Sequence, residues 1–91
     1  MPVTVQIPVA LRAYADNKDS IDLAGATVAQ VMGSLGQNYP KLKPHLFSDT
    51  GALRNFVNVY LNDEDIRYLK RTDTPVNDGD VLTIVPAVAG G

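Results

Sequence analysis

Two glycines close the sequence, Gly90 and Gly91, behind the small-residue run Ala87, Val88 and Ala89. The reactive group they present is the main-chain carboxylate of Gly91. A carboxylate is a poor acyl electrophile. A partner enzyme using ATP can join it to AMP and so give it a good leaving group. Attack by a sulfur donor then leaves a C-terminal thiocarboxylate, whose sulfur is a nucleophile that a second enzyme can receive. Glycine suits that chemistry: with no Cβ, nothing crowds the carbonyl carbon, and the backbone can adopt the conformations needed to enter a narrow channel. No turn signal ties the run down after Pro86, and five extended residues reach roughly 17 Å. The sequence therefore divides into a body, residues 1–86, and a flexible tail, residues 87–91. Frayed small-residue ends are common in proteins, so the dipeptide gains weight only from the body that presents it.

The side chains offer less. There is no cysteine, which removes disulfides, thiolate metal sites and thiol nucleophiles together. His45 is the single histidine, in a loop between Pro44 and Leu46, and no second His or Cys exists to complete a zinc set. Asp63, Glu64 and Asp65 form an acidic cluster that lacks the spaced oxygens and closing Glu of a calcium loop; it reads as a solvated turn, with a basic patch on a partner as the functional rival. Nothing in the spacing of Asp16, Asp19, Asp22 and Asp49 forces an acid–base pair. Ser20, Ser34 and Ser48 lack a hydrolase's glycine-flanked elbow. The glycines are isolated and form no phosphate-binding loop, so any ATP is bound by the partner and no cofactor or metal by this chain. No catalytic residue is expected.

The elements that position the tail are legible from periodicity. Val3, Val5 and Ile7 alternate with Thr4 and Gln6, a half-buried strand that Pro8 ends or confines to an edge. Ser20 to Leu23 reads as a second strand, and the two suggest a hairpin. Thr27 and Gln30 form a capping-box pattern before Val28, Val31, Met32 and Leu35, which recur at helical spacing. The helix is expected from Val28 to Gln37, with Gly33 and Gly36 weakening it and Pro40 barring continuation. Residues 40–54 are loop-like, anchored by Leu46, Phe47 and Leu53 through one short helical turn. Phe56 to Leu61 is a strong strand. Asn62 to Asp65 forms a polar turn, and Ile66, Tyr68 and Leu69 suggest a short return strand. Asn77 to Asp80 turns the chain into a last strand, Val81 to Val85, with Leu82 and Ile84 facing the core.

Two strands, a helix, then strands predict an α+β domain in which one main helix covers a mixed sheet. Phe56, Asn58 and Tyr60 face away from Val57, Val59 and Leu61. Phe56 and Tyr60 thus mark a possible docking face, unless the 40–54 loop folds over it.

The chain has 91 residues, with 45% hydrophobic and 20% charged, which fits one folded soluble domain with a modest core. A net charge of −2 and scattered basic residues exclude a clustered nucleic-acid face. No apolar run approaches a membrane span, and the first residues do not read as a signal peptide. A cytoplasmic protein is expected.

The segment Asp78-Gly79-Asp80, the strand Val81 to Val85, Pro86 and the closing Gly90-Gly91 resemble the end of the ThiS/MoaD sulfur carriers, bacterial relatives of ubiquitin. Residues 56–67 and 86–91 look closest to the branch that serves cysteine synthesis. The resemblance implies a β-grasp fold with the first and last strands adjacent and parallel. It further implies an adenylating, sulfur-transferring activating enzyme as one partner. The other partner would be an acceptor such as a pyridoxal-phosphate cysteine synthase. The molybdopterin synthase small subunit, which serves that enzyme's large subunit, the thiamine sulfur carriers and the ubiquitin-like protein modifiers are the alternatives, and an inert-tailed interaction module is a further one.

Overall fold

The computed structural model describes residues 2–54 and 57–86. Five strands form one mixed sheet. β1 (Val3–Gln6) and β2 (Ser20–Leu23) pair antiparallel, with Val5 opposite Ile21. β3 (Val57–Leu61) pairs antiparallel with both β4 (Glu64–Asp65) and β5 (Val81–Pro86). The order across the sheet is β2-β1-β5-β3-β4, and β1 and β5 run parallel with Val5 beside Leu82. This is the expected β-grasp arrangement. Pro8 lies just beyond β1, so the strand keeps two neighbours despite the proline.

The helix α1 (Val28–Asn38) covers one face. Its start is fixed as the sequence predicts: the Thr27 hydroxyl accepts a hydrogen bond from the Gln30 amide at 3.2 Å. Gln30 Oε1 reaches back one residue further than a capping box requires, accepting from the Ala26 amide at 2.8 Å. The chain at Thr74 to Val76 braces the same turn, since Val28 N donates to Thr74 O and Val76 N to Ala26 O, both at 3.0 Å. Val28, Val31, Met32 and Leu35 are fully buried against Val3, Val5, Val59, Leu82 and Ile84 of the sheet.

Gly33 sits on the outer side of α1, and a Cβ built there meets nothing within 4 Å. Replacing it with alanine relieves the backbone entropy cost of a mid-helix glycine. Gly33→Ala is expected to raise stability by about 0.5–1 kcal/mol in urea unfolding.

The connections are more ordered than the sequence suggests. Residues between β1 and β2 form a 3₁₀ turn, Val9–Tyr14, that buries Leu11, and the chain reverses through Asp16 and Asn17 in left-handed conformations. Residues 40–54 contain a 3₁₀ turn, Pro40–Leu42, and then α2 (Lys43–Leu46), where one turn was expected. Leu46 is buried, and Phe47 and Leu53 pack on the core as expected; Leu42 joins them.

The return strand expected from Ile66, Tyr68 and Leu69 does not form. Pairing is confined to Glu64 and Asp65, and Ile66–Tyr68 is a 3₁₀ turn. The cause is Asp65. Its Oδ1 accepts from the Arg67 amide at 2.9 Å, which caps that turn and closes the strand after two residues. Asp65 is therefore buried, not part of a solvated turn, and its carboxylate pairs with the Arg67 guanidinium at 2.9 Å.

The side-chain hydrogen bond from Arg67, reinforced by the Arg67 amide, holds the Asp65 carboxyl below its ordinary value of 3.8. A carboxyl lowered in the folded state contributes stability above its unfolded pKa and loses it as pH falls through the folded one. Asp65→Asn should thus lower stability at neutral pH and flatten the loss of stability below pH 3.8, read as urea midpoints across an acid series. An unchanged acid slope would show that the pair carries no linkage.

Candidate functional site

The candidate site is the C-terminal end of β5, at Pro86. At its beginning β5 is held from both sides. Gly79 takes the positive φ of 87° that the turn requires. Asp80 Oδ2 accepts from Asn77 N at 2.8 Å, and Asp80 O accepts from Thr4 N at 3.0 Å. Val81 N donates to Asn62 Oδ1 at 3.1 Å. Leu82 and Ile84 then anchor the strand in the core, fully or almost fully buried.

Past Thr83, β1 no longer runs alongside, and only β3 accompanies β5 to Pro86, opposite Val57. Asn62 N donates to Val81 O at 2.7 Å. By the alternation of antiparallel pairs, Val57–Pro86 is then a non-hydrogen-bonded pair. The amide that proline lacks costs no ladder bond, so Pro86 is the last strand residue instead of a residue beyond it. The strand cannot slip along its neighbours without dragging two buried side chains, Leu82 and Ile84.

The sequence candidates Phe56, Ala87, Val88, Ala89, Gly90 and Gly91 lie outside the described residues. Tyr60 lies on the sheet face opposite the helix, half-buried, where Thr83 pairs with it and donates through Oγ1 to Gln6 Oε1 at 3.1 Å. The 40–54 segment does not cover this face. Its apolar residues Leu42, Leu46, Phe47 and Leu53 all pack on the core. Val85, 41% exposed and directly next to Pro86, belongs to the same face. Sequence reasoning passed over it, although strand alternation places an apolar residue there on the side away from Leu82 and Ile84.

The other candidates are structural. His45 stacks on Tyr14 with ring centroids 4.2 Å apart, which ties the two long connections together. Asp22 accepts from the Thr4 hydroxyl at 2.9 Å. Asp16, Asp19 and Asp49 are exposed. Among the described residues no group of three His, Cys, Asp or Glu comes together as a metal set. None of the helices among the described residues is long and apolar enough to cross a membrane.

The same β-grasp body is shared with known proteins. The family model described as the ThiS family matches residues 5–91. The chain belongs to the ThiS family. Its match to this ThiS model includes the closing residues that the structure leaves undescribed.

Among individual ThiS-family relatives, the sulfur carrier protein CysO of Mycobacterium tuberculosis is 43% identical over 93 residues, covering 100% of both chains. A chain in the crystal structure of the Amycolatopsis orientalis BexX/CysO complex superposes with a TM-score of 0.88 at 42% identity, covering 98% of this chain and 99% of that one. Small archaeal modifier protein 1 of Methanosarcina acetivorans gives a TM-score of 0.89 at 32% identity, covering 98% and 95%.

Proposed function

We propose that this chain is a sulfur carrier whose Gly91 carboxylate is adenylated by a partner enzyme and converted to a thiocarboxylate. The observation that carries the reading is the full-length similarity to a protein named as a sulfur carrier, joined to a β5 that stays paired up to Pro86. The body, residues 1–86, is the handle that partners grip. The tail, residues 87–91, enters their active sites. The chain is a co-substrate in this scheme: ATP is bound and spent by the activating enzyme, which breaks the α–β phosphate bond and releases pyrophosphate. The sulfur donor then displaces AMP.

Cysteine synthesis is the most fitting destination for the sulfur, because relatives 43% identical over the whole chain are named CysO. The acceptor would then be a pyridoxal-phosphate cysteine synthase that takes the thiocarboxylate sulfur onto an activated serine. The exposed sheet face around Tyr60 and Val85, beside the tail root, is the surface such partners would grip first. Chain isolated from its own host should show, by intact mass, a population in which one sulfur replaces one oxygen.

A second reading is supported by the likeness to small archaeal modifier proteins. The same activated carboxylate would then be joined to lysines of other proteins. A ladder of denaturation-resistant conjugates in the host would favour it over the carrier role.

A further inference from the structure

The phase of the parallel ladder between β1 and β5 is fixed by one bond: Thr4 N donates to Asp80 O at 3.0 Å. In a parallel pair, alternate residues of one strand both donate to and accept from the other. Thr4 lies beside Val81 and Gln6 beside Thr83, so these two residues of β1 make the bonds. The next residue in phase is Pro8, beside Val85. Its amide would donate to Ile84 O, and its carbonyl would accept from the amide of residue 86. Residue 86 is also a proline. Both donors of that rung are therefore missing, one from each strand.

The backbone around the missing rung is otherwise suited to it. Pro8 has φ −66° and ψ 153°, an extended conformation. Pro86 stays in β5 opposite Val57, with its ring nitrogen on the β1 side. Pro8 O accepts instead from Leu11 N at 2.9 Å and so opens the 3₁₀ turn. Gln6, Pro8, Thr83 and Ile84 line an open cavity of about 400 Å³. A backbone acceptor left without a protein partner needs such access to water.

A protein that draws a chain end into a narrow site holds it as an extended strand, by its backbone edges. β5 already gives one edge to β3, with Asn58 opposite Val85. With the ladder continued on the other side, Ile84–Pro86 would have no edge to offer. We propose that Pro8 and Pro86 act together as a ladder stop, which keeps the β1-side edge of Ile84–Pro86 free for a protein that takes up the chain end. That this protein is a sulfur-loading enzyme rests on the carrier reading; the ladder stop does not.

The test uses the unloaded chain, so no sulfur chemistry enters it and its failure leaves the carrier reading untouched. Proteinase K is the probe, because it lays several residues out as an extended strand before it cuts. Pro8→Ala, Pro86→Ala and the double variant each return a donor to the rung. In Pro8→Ala, the new amide of residue 8 should exchange with deuterium at least roughly tenfold more slowly than in the same chain unfolded in urea. Cleavage after residue 86, followed by intact mass, should be roughly tenfold slower in the double variant than in the parent, with the single variants between them. Loss of packing would speed cleavage, so a slower cut is not a product of damage. A residue 8 amide that exchanges at the unfolded rate in Pro8→Ala would overturn the proposal. So would cleavage of the double variant, or of both single variants, at the parent rate or faster.

Discussion

Deleting Gly91 should reduce thiocarboxylate formation by at least about 10²-fold while leaving the melting temperature unchanged. The reasoning separates reach from folding. The body is held by β1, β5 and α1, with Leu82 and Ile84 buried, and β5 needs nothing after Pro86 to complete its pairing with Val57. Loss of one terminal residue leaves that core intact. It moves the carboxylate back by about 3.5 Å and puts Gly90 where Gly91 had been. A misplacement of about 1 Å is enough to cost two orders of magnitude in a positioned acyl reaction. Gly91→Ala is the informative companion, because it keeps the length and adds only a Cβ beside the reacting carbon; it should load more slowly than the parent and faster than the deletion. Normal loading of the deleted chain, followed by ATP-dependent mass gain, would show that chain length is not what the activating enzyme measures.

Leu82→Ala carries the largest expected effect on stability. Leu82 is fully buried in the middle of the sheet, opposite Leu61 and beside Val5. Truncating a buried leucine costs about 2–5 kcal/mol, the transfer of the side chain plus the cavity left behind. Small domains are stable by about 5–15 kcal/mol in all. The variant should therefore lose a large share of its stability, and its melting temperature should fall by at least about 8 °C. Val85→Ala, three residues along the same strand and on the exposed face, should cost under about 1 kcal/mol. Similar losses for the two would mean that the inward and outward faces of β5 are misassigned.

The parts of the fold set by local periodicity were readable from residues alone. Val3, Val5 and Ile7, the Thr27 cap with the α1 stripe, and the Leu82–Ile84 pair each announce which way they face. The parallel contact between β1 and β5 was not readable in that way. It joins residues nearly eighty positions apart, and only resemblance to a family supplied it. The short β4 was missed because one side chain decided it: Asp65 spends its carboxylate on the Arg67 amide, which no alternation pattern displays. The 3₁₀ turn at Val9–Tyr14 was missed for a related reason, since short turns lack a period and Leu11 supplies a single anchor.

For the site, the candidate tail could be named from composition and position, because two glycines after a strand need no tertiary information. Tyr60 was placed on the face opposite Val59 by the period-two alternation of the strand.

The account turns on where the sulfur sits. Chain recovered from its host, alkylated to trap thiocarboxylate, digested and fragmented by tandem mass spectrometry, gives that position directly. The account predicts that, within the alkylated population, every fragment retaining Gly91 carries the alkylated sulfur and fragments ending at Gly90 or earlier carry none. Sulfur found on any other residue, or a host population that carries only the unmodified Gly91 carboxylate under conditions of active sulfur assimilation, would contradict it.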